Sequence, residues 1–168
     1  MRWIWIDKFV EFESGLRAVS VKNVSLAEEH LHDYVPGYPI MPECLMIEAM
    51  AQTAGILVGQ ARGFREKVVL AKISKAVFFD CVLPGDSLRL EARMETIASE
   101  AACTTGRITR SDQLIAEIDL MFSHIDQNLA GKKFPKDNFV FTGIFTSLLQ
   151  DVVLNHVQPE PQPMESPA

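Results

Sequence analysis

The chain has 168 residues, of which 48% are hydrophobic and 23% charged, and its formal net charge is −6 at pH 7. This length suits one domain with a substantial core better than two domains. The acidic balance argues against nucleic acid as the main partner, because phosphate binding requires clustered Lys and Arg. Cys44, Cys81 and Cys103 are odd in number and widely spaced. They therefore indicate neither a disulfide framework nor a zinc site, and they favour a cytoplasmic protein with reduced thiols.

The first predicted elements are two strands, at residues 3–13 and 16–23, separated by the turn signal Ser14-Gly15. Residues 25–33 are polar and long enough for a short helical turn. The segment YVPGYPIMP, residues 34–42, contains three prolines and a glycine. It therefore predicts a loop, since these residues exclude both a helix and a strand that pairs on both sides.

A helix is predicted next, from Glu43 to about residue 60. Pro42 suits the first turn of a helix, and the carboxylate of Glu43 complements the helix dipole. From residue 44 onward apolar residues occupy nearly every face, which is typical of a core helix. The apolar stretch 44–58 is short for a membrane span and carries Glu48 near its middle. We therefore predict a buried helix and no membrane span.

The pattern then returns to strands, at residues 68–79 (one or two strands), 87–98, 101–110 and 114–124. Strands on both sides of one apolar helix indicate an α+β domain, and we assign it to residues 1–126. Residues 127–157 form an extension in which 139–157 predict an amphipathic helix, interpreted as a flap on its own domain or on a neighbour. The Pro-rich residues 158–168 are predicted to be disordered.

Glu48 is the first candidate functional residue. A carboxylate in an apolar helix is costly unless it is paired or functional. Gln52 lies four residues later and hence on the same helix face, which gives a polar stripe. We interpret the stripe as a site, the alternative being a structural acid bonded to loop backbone. His32 is interpreted as a solvated loop residue. His30, His124 and His156 lack metal-ligand spacing and are predicted to lie at the surface.

The segment PIMPECLMIEAMAQTAGI, residues 39–56, resembles the signature of the β-hydroxyacyl-(acyl carrier protein) dehydratases of the FabZ type. The segments IDKFVEFESG and KNVS before it and KAVFFDCVLPGDSLRLEA after it extend the similarity over about residues 4–125. The resemblance implies a hotdog fold, in which an antiparallel sheet wraps around a long central helix. It also implies a homodimer or a hexamer (a trimer of dimers), and no metal or organic cofactor.

The resemblance further implies an active site at the dimer interface, with a His from one protomer and a Glu from the other. The Glu carries over to Glu48, whereas Tyr34 stands in the place of the His. Tyr38 replaces a second His of the family. Glu43 replaces a Gly whose backbone N–H, by the same resemblance, holds the thioester carbonyl. Glu48 and Tyr34 are thus the expected catalytic residues. The expected substrate-binding residues are Tyr38, Pro42, Glu43, Cys44 and Gln52.

The function implied by this resemblance is a hydro-lyase acting on a 3-hydroxyacyl thioester of acyl carrier protein or coenzyme A, in fatty-acid or polyketide-type metabolism. A tyrosine, with a reference pKa near 10, is a poor base at neutral pH. Three interpretations of Tyr34 stay open. Glu48, desolvated by its helix, acts as base with Tyr34 as acid; the chain is a catalytically silent subunit; or it pairs with a His-bearing paralogue. A hotdog thioesterase, with Glu48 activating water, is a further alternative.

Docking of an acidic carrier protein requires a basic rim. In the family the strand before the PGD turn, residues 84–86 of this chain, tends to be rich in Arg. Here that segment keeps Lys75 but has Val77, Phe79 and Asp80. Another cluster of cations, interpreted either as a second rim or as solvated charges around a linker, consists of Arg62, Arg65, Lys67 and Lys72.

Overall fold

The computed structural model describes residues 4–125, 140–141, 143, 147–150 and 152. Within the continuous stretch of residues 4–125 it contains two helices and six strands. In chain order they are β1 (Lys8–Glu13), β2 (Arg17–Asn23), α1 (His30–Asp33), α2 (Glu43–Ala61), β3 (Val68–Phe78), β4 (Ser87–Ile97), β5 (Ala101–Arg110) and β6 (Gln113–His124). The strands form one antiparallel sheet in the order β1-β2-β4-β5-β6-β3. The predicted α+β arrangement of an antiparallel sheet and a long central helix is therefore confirmed.

The sheet differs from the predicted elements mainly at its beginning. The first strand starts at Lys8 rather than at residue 3. The reason is that the backbone N–H of Trp5 donates to the Gln52 side chain of α2, so the chain there runs to the helix and not along a strand. Residues 68–78 form a single strand. The turn between β5 and β6 is one residue shorter than predicted, because Arg110 already pairs with Gln113.

Helix α2 packs against the sheet over most of its length. Residues 49–59 are all buried, and small residues on both sides let the backbones approach closely. A Cβ added at Gly106 of β5 would lie 2.6 Å from Sδ of Met50. Inside this contact the hydroxyls of Thr53 and Ser20 lie 2.6 Å apart, so both polar groups are satisfied within the core.

The two edges of the sheet are β1 and β3. Strand β3 pairs with β6 on one side only, and residues 70–77 are all exposed. Three of its exposed side chains are large and apolar, namely Leu70, Ile73 and Val77. A long apolar edge of this kind is a site at which another chain can pair.

Among the described residues, α2 is the one helix long and apolar enough to cross a membrane, and 61% of the relevant window is buried inside the domain. Length and composition are therefore weak indicators here, since a core helix passes the same test. In the C-terminal extension Gly143, residues 147–150 and Val152 are helical, and Leu149 and Val152 join the core cluster. Residues 126–139 and the predicted tail at 158–168 lie outside the described part, so the predicted domain division stays a prediction.

Candidate functional site

Glu48 lies in the second turn of α2, and a chain of hydrogen bonds fixes its side chain. Nε2 of Gln52 donates to Oε1 of Glu48 at 2.8 Å. Oε1 of Gln52 in turn accepts from the backbone N–H of Trp5, also at 2.8 Å. Because Gln52 is only 8% exposed, it is a rigid support. The predicted polar stripe thus exists, and it anchors the N-terminal segment to the helix.

The expectation that the apolar helix desolvates Glu48 is wrong for the single chain, in which Glu48 is exposed. Helix α2 is buried all round only from residue 49 onward. Its first turns have an open side, where Glu43 and Cys44 are exposed as well. The carboxylate stands at one end of an apolar cavity of about 250 Å³, which α2 and the start of β3 line together. It can therefore contact both water and an apolar ligand.

Tyr34 forms a separate cluster with Glu43 at the N-terminus of α2. Its backbone N–H donates to the carbonyl oxygen of His30, which closes α1. Its hydroxyl donates a long hydrogen bond, 3.5 Å, to Oε2 of Glu43. The negative charge of Glu43 raises the pKa of Tyr34 above its ordinary value. Tyr34 is therefore protonated at neutral pH, and it can act as a hydrogen-bond or proton donor but not as a base.

Tyr34 and Glu48 belong to different clusters, and within the described chain no hydrogen bond joins them. The N-terminal half of α2 thus carries two polar groups of residues, Tyr34 with Glu43 and Glu48 with Gln52. A site that uses both catalytic candidates requires either a substrate that spans the two clusters or a second chain.

The other expected substrate-binding residues surround the same helix start. Pro42 is buried and occupies the N-cap position of α2. Tyr38 is 54% exposed, and Cys44 is an exposed free thiol. Among the described residues no side chain caps this N-terminus. Its first backbone N–H groups can therefore bind an acyl oxygen.

Comparison with known proteins identifies the lineage. A family description of FabA-like domains matches residues 4–119. The chain belongs to the FabA-like family. It is 40% identical over 119 residues to the 3-hydroxyacyl-[acyl-carrier-protein] dehydratase FabZ of Hydrogenobaculum sp. (strain Y04AAS1), covering 69% of this chain and 80% of that protein. It is 41% identical over 125 residues to FabZ of Symbiobacterium thermophilum, covering 74% and 88%.

Solved structures support the fold of this FabA-like chain. The dehydratase heterocomplex ApeI:P from Xenorhabdus doucetiae matches with a TM-score of 0.62 at 16% identity, covering 77% of this chain and 90% of that one. The smu.793 protein of Streptococcus mutans bound to acetyl CoA matches with a TM-score of 0.59 at 18% identity, covering 73% and 91%. Together with the six-stranded sheet and central helix, these similarities confirm the hotdog fold.

The histidines of this FabA-like chain correct the sequence-based interpretation at two positions. His124 is fully buried, and its Nδ1 lies 2.8 Å from a carboxylate oxygen of Glu66. His30 is largely buried, its ring 5.0 Å from that of Trp5, and burial lowers its pKa below the ordinary value. Both had been predicted to lie at the surface. Polar loops and strand ends gave no sign of these contacts, because the partners are distant in sequence.

His30 also lines a second cavity, of about 460 Å³, together with Trp5 and Leu45 of α2. The sequence carried no sign that His30 lines a cavity, which it does together with the polar residues Glu29 and Asp33. The neighbouring His32 is exposed as predicted, but it belongs to α1 and not to a loop, and its Nε2 lies 2.9 Å from the carbonyl oxygen of Leu26. His156 lies outside the described residues. The part of the chain that the structure describes contains no cluster of His, Cys, Asp and Glu able to hold a metal ion.

The cluster of Arg62, Arg65, Lys67 and Lys72, interpreted either as a second basic rim or as solvated charges, does not present all four cations at the surface. Lys67 is 5% exposed and is therefore buried rather than part of a rim. Arg62 donates to the carbonyl oxygen of Ala98. Lys75 pairs with Glu117 at 2.5 Å, and this interaction raises the pKa of the Lys75 ammonium group. Within the cluster of four cations, Arg65 and Lys72 are exposed.

Proposed function

We propose that the protein is a FabZ-like hydro-lyase that interconverts a 3-hydroxyacyl thioester and the corresponding enoyl thioester with release or addition of water. One observation carries the proposal: Glu48, fixed by Gln52, stands at the mouth of an apolar cavity on the central helix. A carboxylate beside an apolar cavity matches a substrate with an acyl tail and an acidic C2 proton. The FabZ relatives, 40% and 41% identical, support the same chemistry.

In the dehydration direction Glu48 removes the proton from C2 of the substrate. The electron pair moves through an enolate-like thioester oxygen to form the C2–C3 double bond, and the C3–O bond breaks. The departing hydroxyl takes one proton and leaves as water. Backbone N–H groups at the start of α2 stabilise the enolate-like oxygen, since the positive end of the helix dipole lies there.

When the substrate is bound, the Tyr34 hydroxyl exchanges its long hydrogen bond to Glu43 for one to the departing hydroxyl. Its phenol stays protonated because Glu43 raises its pKa, so the proton that Glu48 has taken from C2 is the one that completes the water molecule. The Glu43 carboxylate beside the helix start disfavours an enolate. In the free site Oε2 of Glu43 accepts a hydrogen bond from the Tyr34 hydroxyl, which neutralises none of this charge once the phenol has turned to the substrate.

The complete site in this proposal is shared by two chains, with Tyr34 and Glu43 from one protomer and Glu48 from its partner. The lack of a bond between Tyr34 and Glu48 within one chain supports this arrangement. The exposed apolar edge of β3, with Ile73 at its centre, supports edge-to-edge pairing of two sheets in a dimer. The same proposal includes a hexamer, formed as a trimer of such dimers. It also includes a location in the cytoplasm and catalysis without a cofactor.

The substrate carrier in this proposal is acyl carrier protein, with coenzyme A as the alternative. The names of the FabZ relatives state the former for those proteins.

A second candidate function is that of a silent subunit that completes its site with a His-bearing paralogue. Tyr34 supports it, because a tyrosine with a raised pKa cannot replace a His as base. In such a heterodimer the paralogue contributes the His and this chain contributes Glu48.

Hydration of a crotonyl thioester, followed by loss of the enoyl absorbance, separates these functions. The proposal expects hydration by the wild-type chain alone, reduced in both Glu48→Gln and Tyr34→Phe. The control is Glu13→Gln, an exposed acid at the end of β1. An inactive wild type with activity gained in Tyr34→His would overturn the first candidate in favour of the silent subunit. Release of free thiol without hydration would indicate a thioesterase and overturn both.

A further inference from the structure

The apolar cavity beside Glu48 has a defined direction. Its lining includes one face of α2 at intervals of three and four residues, which places these positions in a row. They are Glu48, Ala51, Gln52, Gly55 and Ile56. The opposite wall consists of the start of β3 together with Phe122 of β6. The polar side chains of the helix row, Glu48 and Gln52, lie toward its N-terminal end, and the apolar ones lie toward its C-terminal end.

The C-terminal end of the row is closed by an aromatic ring. The row leads to Gly59, about 16 Å along the axis from Glu48 at the usual helical rise. A Cβ added to Gly59 would lie 2.3 Å from Cζ of Phe141. The ring of Phe141 therefore packs directly on the backbone of α2, in a space that only a glycine leaves open.

A second ring supports the first. The centroids of Phe64 and Phe141 lie 5.0 Å apart, with an interplanar angle of 59°. Phe64 follows the end of α2 and is held there by a hydrogen bond from its backbone N–H to the carbonyl oxygen of Gly59. Aromatic pairs at this separation attract one another. Phe141, with Val140, thus forms the end wall of a cavity that begins at Glu48.

This wall comes from outside the family match, which ends at residue 119. It is therefore a feature of the C-terminal extension of this chain. We propose that Phe141 closes the acyl pocket and limits the length of the acyl chain that the protein accepts. The proposal rests on the proposed function for its occupant, because the reacting thioester end is placed at Glu48 and the tail along the helix row.

The size of the cavity fits a short tail. Its volume of about 250 Å³ lies below the roughly 300–1,000 Å³ typical of pockets for drug-sized ligands. Each methylene that fits is removed from water and strengthens binding by roughly fourfold. A methylene that reaches Phe141 gains nothing and has to displace the ring. Affinity should therefore rise with chain length to a maximum and then fall.

Two variants open the end wall in different ways. Phe141→Ala removes the ring. Gly59→Ala keeps the ring but occupies its space with a methyl group, and it suits the helix because alanine is the better helix former. Leu16→Ala, a truncation of an exposed side chain between β1 and β2, is the control. Thermal melting of each variant confirms that it is folded.

The experiment measures binding of unreactive S-alkyl pantetheine thioethers, from butyl to dodecyl, by calorimetry. We expect a maximum in affinity at a short chain in the wild type and in Leu16→Ala. In both wall variants the maximum should move to longer chains. Affinity for the shortest chain that exceeds the wild-type maximum should rise at least tenfold. An unchanged maximum in the folded wall variants, or no chain-length dependence in the wild type, would overturn the inference.

The readout also separates this inference from the proposed function, because the ligands cannot react. A shifted maximum in a protein that hydrates no crotonyl thioester would support the role of Phe141 and contradict the hydro-lyase. Hydration by the wild type with an unchanged maximum in both wall variants would leave the hydro-lyase standing and overturn the role of Phe141.

Discussion

The two halves of helix α2 have similar apolar compositions but different environments. Residues 43–48 have an open side on which both acids of the helix are exposed, whereas residues 49–59 are all buried. In the buried half each polar side chain has a partner within the fold, as Thr53 has in Ser20 and Gln52 in Trp5. In the open half Glu43 and Glu48 can meet a substrate. Substitutions in residues 43–48 can therefore change the catalytic chemistry, whereas the stability of the domain depends on residues 49–59.

The sharpest test of this division is Glu48→Gln in the open half. Loss of a positioned base reduces the rate by about 10²–10⁴-fold. The melting temperature should stay within about a degree, because an exposed substitution changes stability by only a few tenths of a kcal/mol. Hydration kinetics and thermal melting of the variant and of Glu13→Gln measure both effects. A large loss of stability in Glu48→Gln would contradict the division.

The reverse pattern is expected for Leu57→Ala in the buried half. Leu57 is fully buried, and truncation of such a side chain lowers the free energy of unfolding by about 2–5 kcal/mol. The catalytic rate per folded molecule should be close to that of the wild type. Urea unfolding provides the measurement, and Leu16→Ala, whose side chain is exposed, is the control with little expected effect. A loss of turnover without a loss of stability would be inconsistent with the comparison.

A smaller effect is expected for the buried hydroxyl pair. Thr53→Val removes one hydroxyl and leaves that of Ser20 without this partner in the core, at a cost of about 1–3 kcal/mol. Adding Ser20→Ala removes the second polar group, so the double variant should recover part of the loss. A double-mutant cycle by urea unfolding measures the coupling. Strictly additive effects would show that the hydroxyls do not stabilise one another.

The smallest effect is electrostatic and belongs to the open half. Glu43 opposes formation of a phenolate at Tyr34 and so raises its pKa. Replacing Glu43 with Gln removes this negative charge, and Tyr34 should then ionise at lower pH. The chain has two tyrosines, so a Tyr38→Phe background isolates Tyr34 in a spectrophotometric titration. A midpoint that does not move, or that moves upward, would show that the two residues do not interact in solution.

The sequence predicted the elements of the fold well because their signals are local. Alternating strands, the turn signals between them and the Pro-rich loop before an apolar helix each follow from neighbouring residues. The predicted start of β1 was wrong because the backbone N–H of Trp5 donates to Gln52, 47 residues away. The prediction that His124 lies at the surface was wrong for the same reason, since its partner Glu66 belongs to a distant segment.

The candidate site likewise combines features that local sequence patterns predict with features that depend on tertiary contacts. The sequence by itself determined a central helix with Glu48 and Gln52 on one face, because helical periodicity fixes which residues share a face. Only the tertiary structure decided that the side of α2 carrying Glu48 is open, that Tyr34 lies beside Glu43, and that Phe141 reaches the end of the cavity at Gly59. These features depend on how distant segments pack together, and the periodicity of a single segment carries no information about its neighbours in space.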